Sequence, residues 1–335
     1  MSKHIYVYSP SGAVRDKAAF RRGVRRLQKL GHEVEIDEAA LASHQRFAGD
    51  DVTRLAAISR AAASGADVAL ISRGGYGLTR ILDRIDYRAV AKAINQGMLF
   101  VGMSDFTAFQ NAVLAKAGGV TWAGPALGEG FGPVDGPDDI MEACFDDLIS
   151  GQGEGTGWRQ HRVIHAPAAD ADTDEVSRVA LNDAFHIKDA VVWGGNLAVL
   201  TSLLGTPYFP NVKGGIVFLE DVAEHPYRIE RMLTQWLYAG VLGQQKAVLL
   251  GQFTDYKTGA HDKGFKLQTV VDWLRQKIRA PVLTNLPYGH VQTKVMLPVG
   301  LSADLVVAQR DAMLLWGHDV ADSAAGQVSK RGPMP

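Results

Sequence analysis

The sequence contains one cysteine, no excess of either charge and no apolar run long enough to cross a membrane. A single thiol, Cys144, excludes an internal disulfide, and its place in a helical pattern favours packing over a nucleophilic role. Lys and Arg total 35 against 36 Asp and Glu, so no overall field attracts nucleic acid or an anionic membrane. The N-terminal residues lack the apolar core of a signal peptide, so we expect a cytoplasmic protein without membrane or nucleic-acid partners.

The chain is long enough for two domains, because 335 residues with 47% apolar side chains can fill two separate cores. In the first half, short apolar runs alternate with helical patterns, which is typical of a mostly parallel sheet covered by helices. The strands predicted there are residues 4–8, 34–36, 67–72 and 100–102. Apolar runs return at residues 190–193, 215–219, 247–251, 281–283 and 304–307. We therefore expect an α/β fold with one domain over residues 1–150 and a second α/β domain over residues 186–318.

A loose, glycine-rich and acidic stretch separates the two predicted domains. Glycine occupies every second position from Gly151 to Gly157, and residues 166–174 are small and acidic. This composition is typical of connection rather than core, so residues 151–185 are predicted to be a linker that covers the ligand site. Trp158 in this stretch could stack on a nucleobase or serve the fold, and the sequence leaves both roles open. The Ala-, Gly- and Ser-rich end, residues 319–335, is predicted to fray.

A serine stands at a predicted junction between a strand and a helix. The apolar residues 99–102 precede Ser104, and an amphipathic pattern follows it up to residue 116. A serine in this position can project its hydroxyl beyond the sheet, where the free N–H groups of the helix favour an oxyanion. Serine is also a preferred helix N-cap, so the junction fits capping as well as an acyl-transfer nucleophile.

Three other places in the sequence could complete a nucleophilic site. The glycines in residues 73–77 follow a predicted strand, and they allow either oxyanion donation by backbone N–H groups or a simple tight turn. A nucleophilic serine also needs a base and a group that orients the base. Glu220 ends an apolar strand, and His290 lies in a segment whose proline and glycine would fix its side chain toward a cleft. The order serine, acid, histidine occurs in one known triad architecture.

Five motifs in order, each at a predicted strand end, resemble one known family. They are Arg73–Gly77, Gly102–Asp105, Gly194–Leu197, Val217–Asp221 and Leu286–His290. Together they resemble the serine LD-carboxypeptidase family, which includes murein tetrapeptide carboxypeptidases and microcin C immunity peptidases. The resemblance spans residues 4–308. It implies a flavodoxin-like N-terminal domain that carries the nucleophile and a C-terminal domain that carries the other two triad members.

The same resemblance implies a role for each site residue. Ser104 would be the nucleophile, His290 the general base and Glu220 the residue that orients the base. The backbone N–H groups of Gly75 and Asp105 would form the oxyanion hole. Because serine, histidine and water suffice for both halves of such a reaction, no metal or organic cofactor is expected. The resemblance also implies a homodimer.

Two substrate classes remain open. A carboxypeptidase of this family would release terminal D-alanine from the L-centre of a diamino acid in a cytoplasmic murein tetrapeptide, as part of cell-wall recycling. An immunity-type enzyme would instead cleave an aminoacyl or peptidyl adenylate with an acyl-sulfamoyl or phosphoramidate linkage. The resemblance favours the murein peptide, and the residues themselves do not decide between the two.

Several residues are candidate substrate contacts. Arg73 could pair with a substrate carboxylate in a bidentate manner, or with an acid of the fold. Gly74 and Tyr76 flank the predicted oxyanion donor and are further candidates. The same scaffold could also bind a peptide or nucleotide without cleaving it. The discriminating observation is whether the predicted nucleophile, base and acid converge.

Overall fold

The computed structural model describes residues 2–160 and 184–317. The α-helices in these ranges are α1 (Lys17–Lys29), α2 (Asp51–Ala63), α3 (Tyr87–Asn95), α4 (Phe106–Ala117), α5 (Asp139–Ser150), α6 (Leu197–Leu203), α7 (Pro226–Tyr238) and α8 (Leu267–Lys277). The strands of the first half are β1 (His4–Tyr8), β2 (Glu33–Ile36), β3 (Val68–Ile71), β4 (Leu99–Gly102), β5 (Thr121–Ala123) and β6 (Gly155–Arg159). Those of the second half are β7 (Phe185–Asn196), β8 (Ile216–Val222), β9 (Ala247–Thr254), β10 (Val282–Leu283), β11 (Leu297–Val299), β12 (Ser302–Ala308) and β13 (Asp311–Leu315).

The first sheet has the strand order β2-β1-β3-β4-β5-β11. Strands β1 to β5 are parallel, and this order is the flavodoxin-like one, so the predicted fold class is confirmed. Strand β11 is antiparallel to β5 and closes one edge. In such a sheet ligands bind beyond the carboxyl ends of the strands. The ends of the adjacent strands β3 and β4 lead into residues 73–77 and into Ser104, so both segments lie at that edge.

The second sheet has the order β10-β9-β8-β7-β12-β13-β6. Strands β7 to β10 are parallel, whereas β12, β13 and β6 are antiparallel. Two strands join the sheet of the other half of the chain, because β6 pairs with β13 and β11 pairs with β5. The two sheets are therefore tied together, because each contains a strand from the other half of the chain.

One hydrophobic cluster joins the two sheets. In β1, Ile5 and Val7 belong to a cluster that also contains Phe218 and Leu249 of the second sheet. The alternate β1 residues, tyrosines 6 and 8, pack on the opposite face of the first sheet. Since both sheets bury side chains in the same cluster, packing fixes their relative position. None of the helices in the described ranges has the length and apolarity that are needed to cross a bilayer.

The structure differs from the sequence prediction in the glycine-rich stretch. Residues Gly155–Arg159 are strand β6, not a connecting loop, and their glycines allow close pairing with β13. Trp158 is 8% exposed, and its indole N–H donates to the carbonyl of Thr284 at 3.1 Å. Of the two roles that the sequence left open for Trp158, this burial favours packing over stacking on a substrate. Residues 161–183 of the predicted cover and the predicted frayed end lie outside the described residues.

We expect Trp158→Ala to lower the free energy of unfolding by about 3–5 kcal/mol, because a buried tryptophan leaves a large cavity. Met313 lies on the neighbouring strand β13 but is 44% exposed, so Met313→Ala is a matched control with an expected effect of about 0.5 kcal/mol or less. Urea unfolding of both variants measures the difference. An equal effect of the two substitutions would contradict the packing role of Trp158.

Candidate active site

Ser104 occupies a strained turn between β4 and α4. Its φ angle is +64°, a left-handed conformation that a residue with a side chain rarely adopts. The turn is held by backbone hydrogen bonds at the start of α4, where the N–H of Thr107 donates to the carbonyl of Ser104 at 2.9 Å. Helix α4 is buried over most of its length, so its N-terminus is fixed by packing. This arrangement presents the half-buried Ser104 side chain at the end of the sheet.

The glycine segment after β3 packs directly against the serine. A Cβ atom at position 74 would lie 2.6 Å from Cβ and 2.8 Å from Oγ of Ser104. Only glycine therefore allows the backbone to come this close to the hydroxyl. The next residue, Gly75, is exposed, and the N–H of Gly12 donates to the carbonyl of Gly74 at 3.1 Å. Gly12, which follows β1, thus holds the glycine segment in place.

Glu220 and His290 form a hydrogen-bonded pair in the second half of the chain. Nδ1 of His290 lies 2.8 Å from Oε2 of Glu220, and Glu220 is fully buried. Because a carboxylate only accepts, Nδ1–H is the donor, so in the neutral imidazole Nε2 carries the lone pair that a general base requires. A carboxylate bound to Nδ1 in this way can orient a histidine that acts as a base.

Asn196 and Asp221 lie next to Glu220 and share a hydrogen-bond network with it. The side-chain amide of Asn196 donates to Glu220 Oε1 at 3.2 Å and to Asp221 Oδ1 at 3.0 Å. Asp221 also accepts from the backbone N–H of Ala198 at the start of α6, at 2.8 Å. Burial and the charge of Glu220 together raise the pKa of Asp221 to about 6. Asn196 therefore connects two buried carboxylates and satisfies an acceptor on each.

Direct contacts tie this acid–histidine pair to the helix of the serine. The backbone N–H of Asn196 donates to Thr107 Oγ1 at 3.0 Å, and Thr107 lies in the first turn of α4. One turn later, the side chain of Asn111 donates to the carbonyl of Gly194 at 2.9 Å. Within the described part of the chain, Ser104 Oγ makes no hydrogen bond and is free to meet a ligand. Catalytic hydrogen bonds are often formed only in the complex with substrate.

The charges around His290 favour its protonated form. Burial alone lowers the pKa of His290, but the hydrogen bond and charge of Glu220 outweigh burial and raise it above the usual value. The negative charges of Glu129 and Asp221 act in the same direction. Four residues after His290, Lys294 is 2% exposed, and its ammonium donates to the carbonyls of residues 291 and 292. This ammonium holds the turn that carries the histidine.

The candidate substrate contacts occupy different environments. Arg73 is partly buried, and its guanidinium donates to the carbonyl of Ala13 at 3.1 Å. Burial lowers the pKa of Arg73, against the opposing effect of Glu129. Tyr76 is 44% exposed and packs against Phe47, with ring centroids 5.9 Å apart. In the described ranges Arg73 has no carboxylate within ion-pair distance, so it can receive an anionic group of a ligand.

Comparison with known proteins identifies the family. A model of the LD-carboxypeptidase N-terminal domain matches residues 5–124, and a model of the C-terminal domain matches residues 189–305. The chain belongs to the LD-carboxypeptidase family. Membership of this family makes the protein a peptidase. The predicted site lies at the strand ends described above.

Three relatives show the range of the family. The chain is 31% identical to a Synechocystis sp. protein named as a carboxypeptidase, over 89% of this chain and 90% of that protein. It is 34% identical to the solved muramoyltetrapeptide carboxypeptidase from Oxalobacter formigenes, with a TM-score of 0.78 and coverage of 93% of this chain and 97% of that one. It is also 26% identical to the Escherichia coli microcin C7 self-immunity protein MccF, over 68% of this chain and 67% of that protein.

Sequence reasoning assigned no role to several residues at the site of this LD-carboxypeptidase family member. The side chains of Asn196, Asp221 and Lys294 gave no separate signal, because their roles depend on contacts between distant segments. Asn196 and Asp221 do lie in two of the five motifs that carry the resemblance. Glu129 could not be found from the sequence, because it lies in a short π-helical turn, Leu127–Phe131, that has no apolar periodicity.

We expect Gly74→Ala to abolish most activity while leaving the fold intact, because the added methyl group would displace the Ser104 side chain. Displacement of a nucleophile by about 1 Å costs roughly a hundredfold in rate. Gly243→Ala is the matched control, since a Cβ there meets nothing within 4 Å. Peptidase rates and melting temperatures of both variants provide the measurement. Full activity of Gly74→Ala would show that the segment can move away from the serine.

We expect Glu220→Gln to shift the pH dependence of activity. The base must be neutral, so wild-type activity falls as the pH drops through a His290 pKa that lies above its usual value of about 6.5. Removing the charge of Glu220 leaves burial as the main influence, which lowers the pKa of His290. The acid limb of kcat/KM should therefore move to lower pH, while the plateau value falls. An unchanged limb would mean that Glu220 does not act on the base.

Proposed function

We propose that this protein is a serine LD-carboxypeptidase that releases terminal D-alanine from a murein tetrapeptide. The observation that carries the proposal is the buried Glu220–His290 hydrogen bond, attached through Asn196 and Thr107 to the helix that follows Ser104. Similarity to the muramoyltetrapeptide carboxypeptidase supports the substrate. We further propose that the protein acts in the cytoplasm, in cell-wall recycling, and that it is a homodimer, as the family resemblance implies.

Acylation uses the free nitrogen of the histidine. Nε2 of His290 takes the proton of Ser104 Oγ as the oxygen attacks the carbonyl carbon before D-alanine. The resulting oxyanion accepts hydrogen bonds from the backbone N–H groups of Gly75 and Asp105. Glu220 stabilises the imidazolium that forms. The C–N bond then breaks, His290 gives its proton to the leaving amine, and D-alanine departs.

Deacylation repeats the same steps with water. His290 takes a proton from a water molecule, whose oxygen attacks the ester carbonyl of the acyl-enzyme. The ester bond breaks, the proton returns to Ser104 Oγ, and the tripeptide leaves with a new carboxylate. Both steps use the same oxyanion donors, so the serine, histidine and backbone N–H groups supply all of the chemistry.

Charged residues near the serine suit a peptide that carries both signs of charge. Arg73 has a guanidinium without an ion-pair partner in the described ranges, and we propose that it receives a substrate carboxylate. Glu129 is exposed, and its negative charge acts on both Arg73 and His290. Gly74 and Tyr76 complete the proposed contacts. Trp158 is excluded from them, because its ring is buried in the second sheet.

The alternative substrate is an aminoacyl or peptidyl adenylate. The observation that favours it is the similarity to the microcin C7 self-immunity protein. The alternative shares the nucleophile and the base, and it differs in the group that leaves. With Trp158 buried, a nucleobase would have to find its stacking partner elsewhere.

The deciding experiment incubates the protein with a murein tetrapeptide and, separately, with an aminoacyl-sulfamoyl adenosine, and follows both by mass spectrometry. We expect loss of one alanine from the tetrapeptide. Ser104→Ala should lower kcat/KM by about 10⁴-fold or more, since removal of a triad nucleophile leaves only residual catalysis. Ser59→Ala, which removes an exposed helical hydroxyl, is the matched control and should be fully active.

Three results would count against the proposal. Cleavage of the adenosine compound alone would establish the alternative substrate. Activity of Ser104→Ala above a tenth of the wild-type value would overturn the assignment of Ser104 as the nucleophile. Binding of either compound without turnover would show a binding protein rather than an enzyme.

A further inference from the structure

The side chain of Asp105 is unused by the mechanism above, which needs only its backbone N–H. It is nevertheless only 2% exposed and accepts two hydrogen bonds. Its Oδ2 accepts from the hydroxyl of Ser11 and from the backbone N–H of Leu78, the latter at 2.9 Å. Ser11 follows β1, and Leu78 follows the glycine segment after β3. One carboxylate therefore connects the serine turn to the loops that follow two neighbouring strands.

A second buried charge holds the same glycine segment from the other side. Arg54 of α2 is fully buried, and its Nη1 donates to the carbonyls of Gly77 at 2.7 Å and Pro10 at 3.3 Å. The N–H of the next residue, Leu78, is the one that donates to Asp105. The peptide group between Gly77 and Leu78 is thus held at both its carbonyl and its N–H. At Gly77, a φ of +142° and a Cβ position only 2.7 Å from the guanidinium leave no room for another residue.

Burial of the Asp105 carboxylate costs more free energy than a helix cap alone would require. A buried carboxylate loses its hydration, and burial raises the pKa of Asp105 despite the donors around it. Asp105 makes no side-chain cap to its own helix α4, although it stands at the N-cap position. Its hydrogen bonds all run to the loops after β1 and β3. The side chain thus acts on the position of those loops and not on the helix that it begins.

We propose that the Asp105 carboxylate is a positioning residue that sets the distance between the two donors of the oxyanion hole. The inference rests on the proposed function, in which Gly75 and Asp105 supply those donors. Asp105 contributes one N–H from its backbone, and its side chain holds the N–H of Leu78, three positions after the other donor. The spacing of the two N–H groups is thereby fixed through a single residue.

The expected effect lies in catalysis and not in substrate affinity. Loss or displacement of one oxyanion donor lowers kcat by roughly 10²–10³-fold, because the donor acts on charge that develops only in the transition state. Asp105→Ala should therefore lower kcat by about this factor, with KM changed by less than about threefold. Asp105→Asn keeps one acceptor oxygen and should recover part of the loss. Ser11→Ala leaves the carboxylate and the N–H of Leu78 in place and should have a smaller effect.

Two further readouts separate positioning from a general structural role. The charges with the largest effect on His290 are those of Glu220, Glu129 and Asp221, so the acid limb of kcat/KM should stay where it is in wild type. Hydrogen–deuterium exchange in Asp105→Ala should increase in residues 73–80 and remain unchanged in residues 286–296. Asp86→Ala is the matched control, because Asp86 caps two N–H groups of α3, and its loss should leave kcat unchanged.

The outcomes distinguish this inference from the proposed function. If wild type cleaves neither substrate, the proposed function fails, and the exchange experiment still tests whether Asp105 holds residues 73–80. If wild type is active and Asp105→Ala retains its kcat, the positioning role is overturned. A raised KM with unchanged kcat, or increased exchange throughout the chain, would overturn it as well.

Discussion

Hydrogen bonds between the start of α4 and the end of β7 are the constraint on which the site depends. The predicted nucleophile belongs to the first sheet, whereas Glu220 and His290 belong to the second half of the chain. The bonds from Asn196 to Thr107 and from Asn111 to Gly194 fix the helix of the serine to strand β7, which pairs with the strand of Glu220. Strand exchange and the shared hydrophobic cluster support these few polar contacts. The site is consequently a product of how the two sheets are joined.

The carboxylates of Glu220 and Asp221 are buried side by side, so their oxygens need hydrogen-bond donors from the protein. Glu220 has no exposed surface, so each of its oxygens needs a donor, and His290 and Asn196 provide one apiece. Burial and the neighbouring charge of Glu220 both oppose ionisation of Asp221, and they raise its pKa above the usual aspartate value to about 6. The amide of Asn196 between the two carboxylates is uncharged, so it orients Glu220 without neutralising the charge that acts on His290.

The sequence predicts strands β1 to β4 of the first sheet for a local reason, and the roles of the three proposed triad residues stay predictions. Buried parallel strands are continuous apolar runs, and the residues that follow them fall at the ligand-binding edge whatever the rest of the chain does. The exchanged strands β6 and β11 could not be predicted in the same way. Each is short, β6 is rich in glycine, and both are strands because of partners far away in the sequence. The burial of Trp158 followed from that pairing and so was missed with it.

The geometry around Ser104 separates chemistry from substrate choice. The left-handed backbone of Ser104 costs on the order of 1–3 kcal/mol of conformational energy, which the packing of α4 and the hydrogen bonds of Asp105 and Arg54 offset. These contacts are rigid, and they do not depend on which leaving group the substrate carries. Arg73, Tyr76 and Glu129 instead have exposed or unpaired polar atoms. In the proposed function, selectivity among acyl substrates therefore comes from such residues and not from the serine and its rigid surroundings.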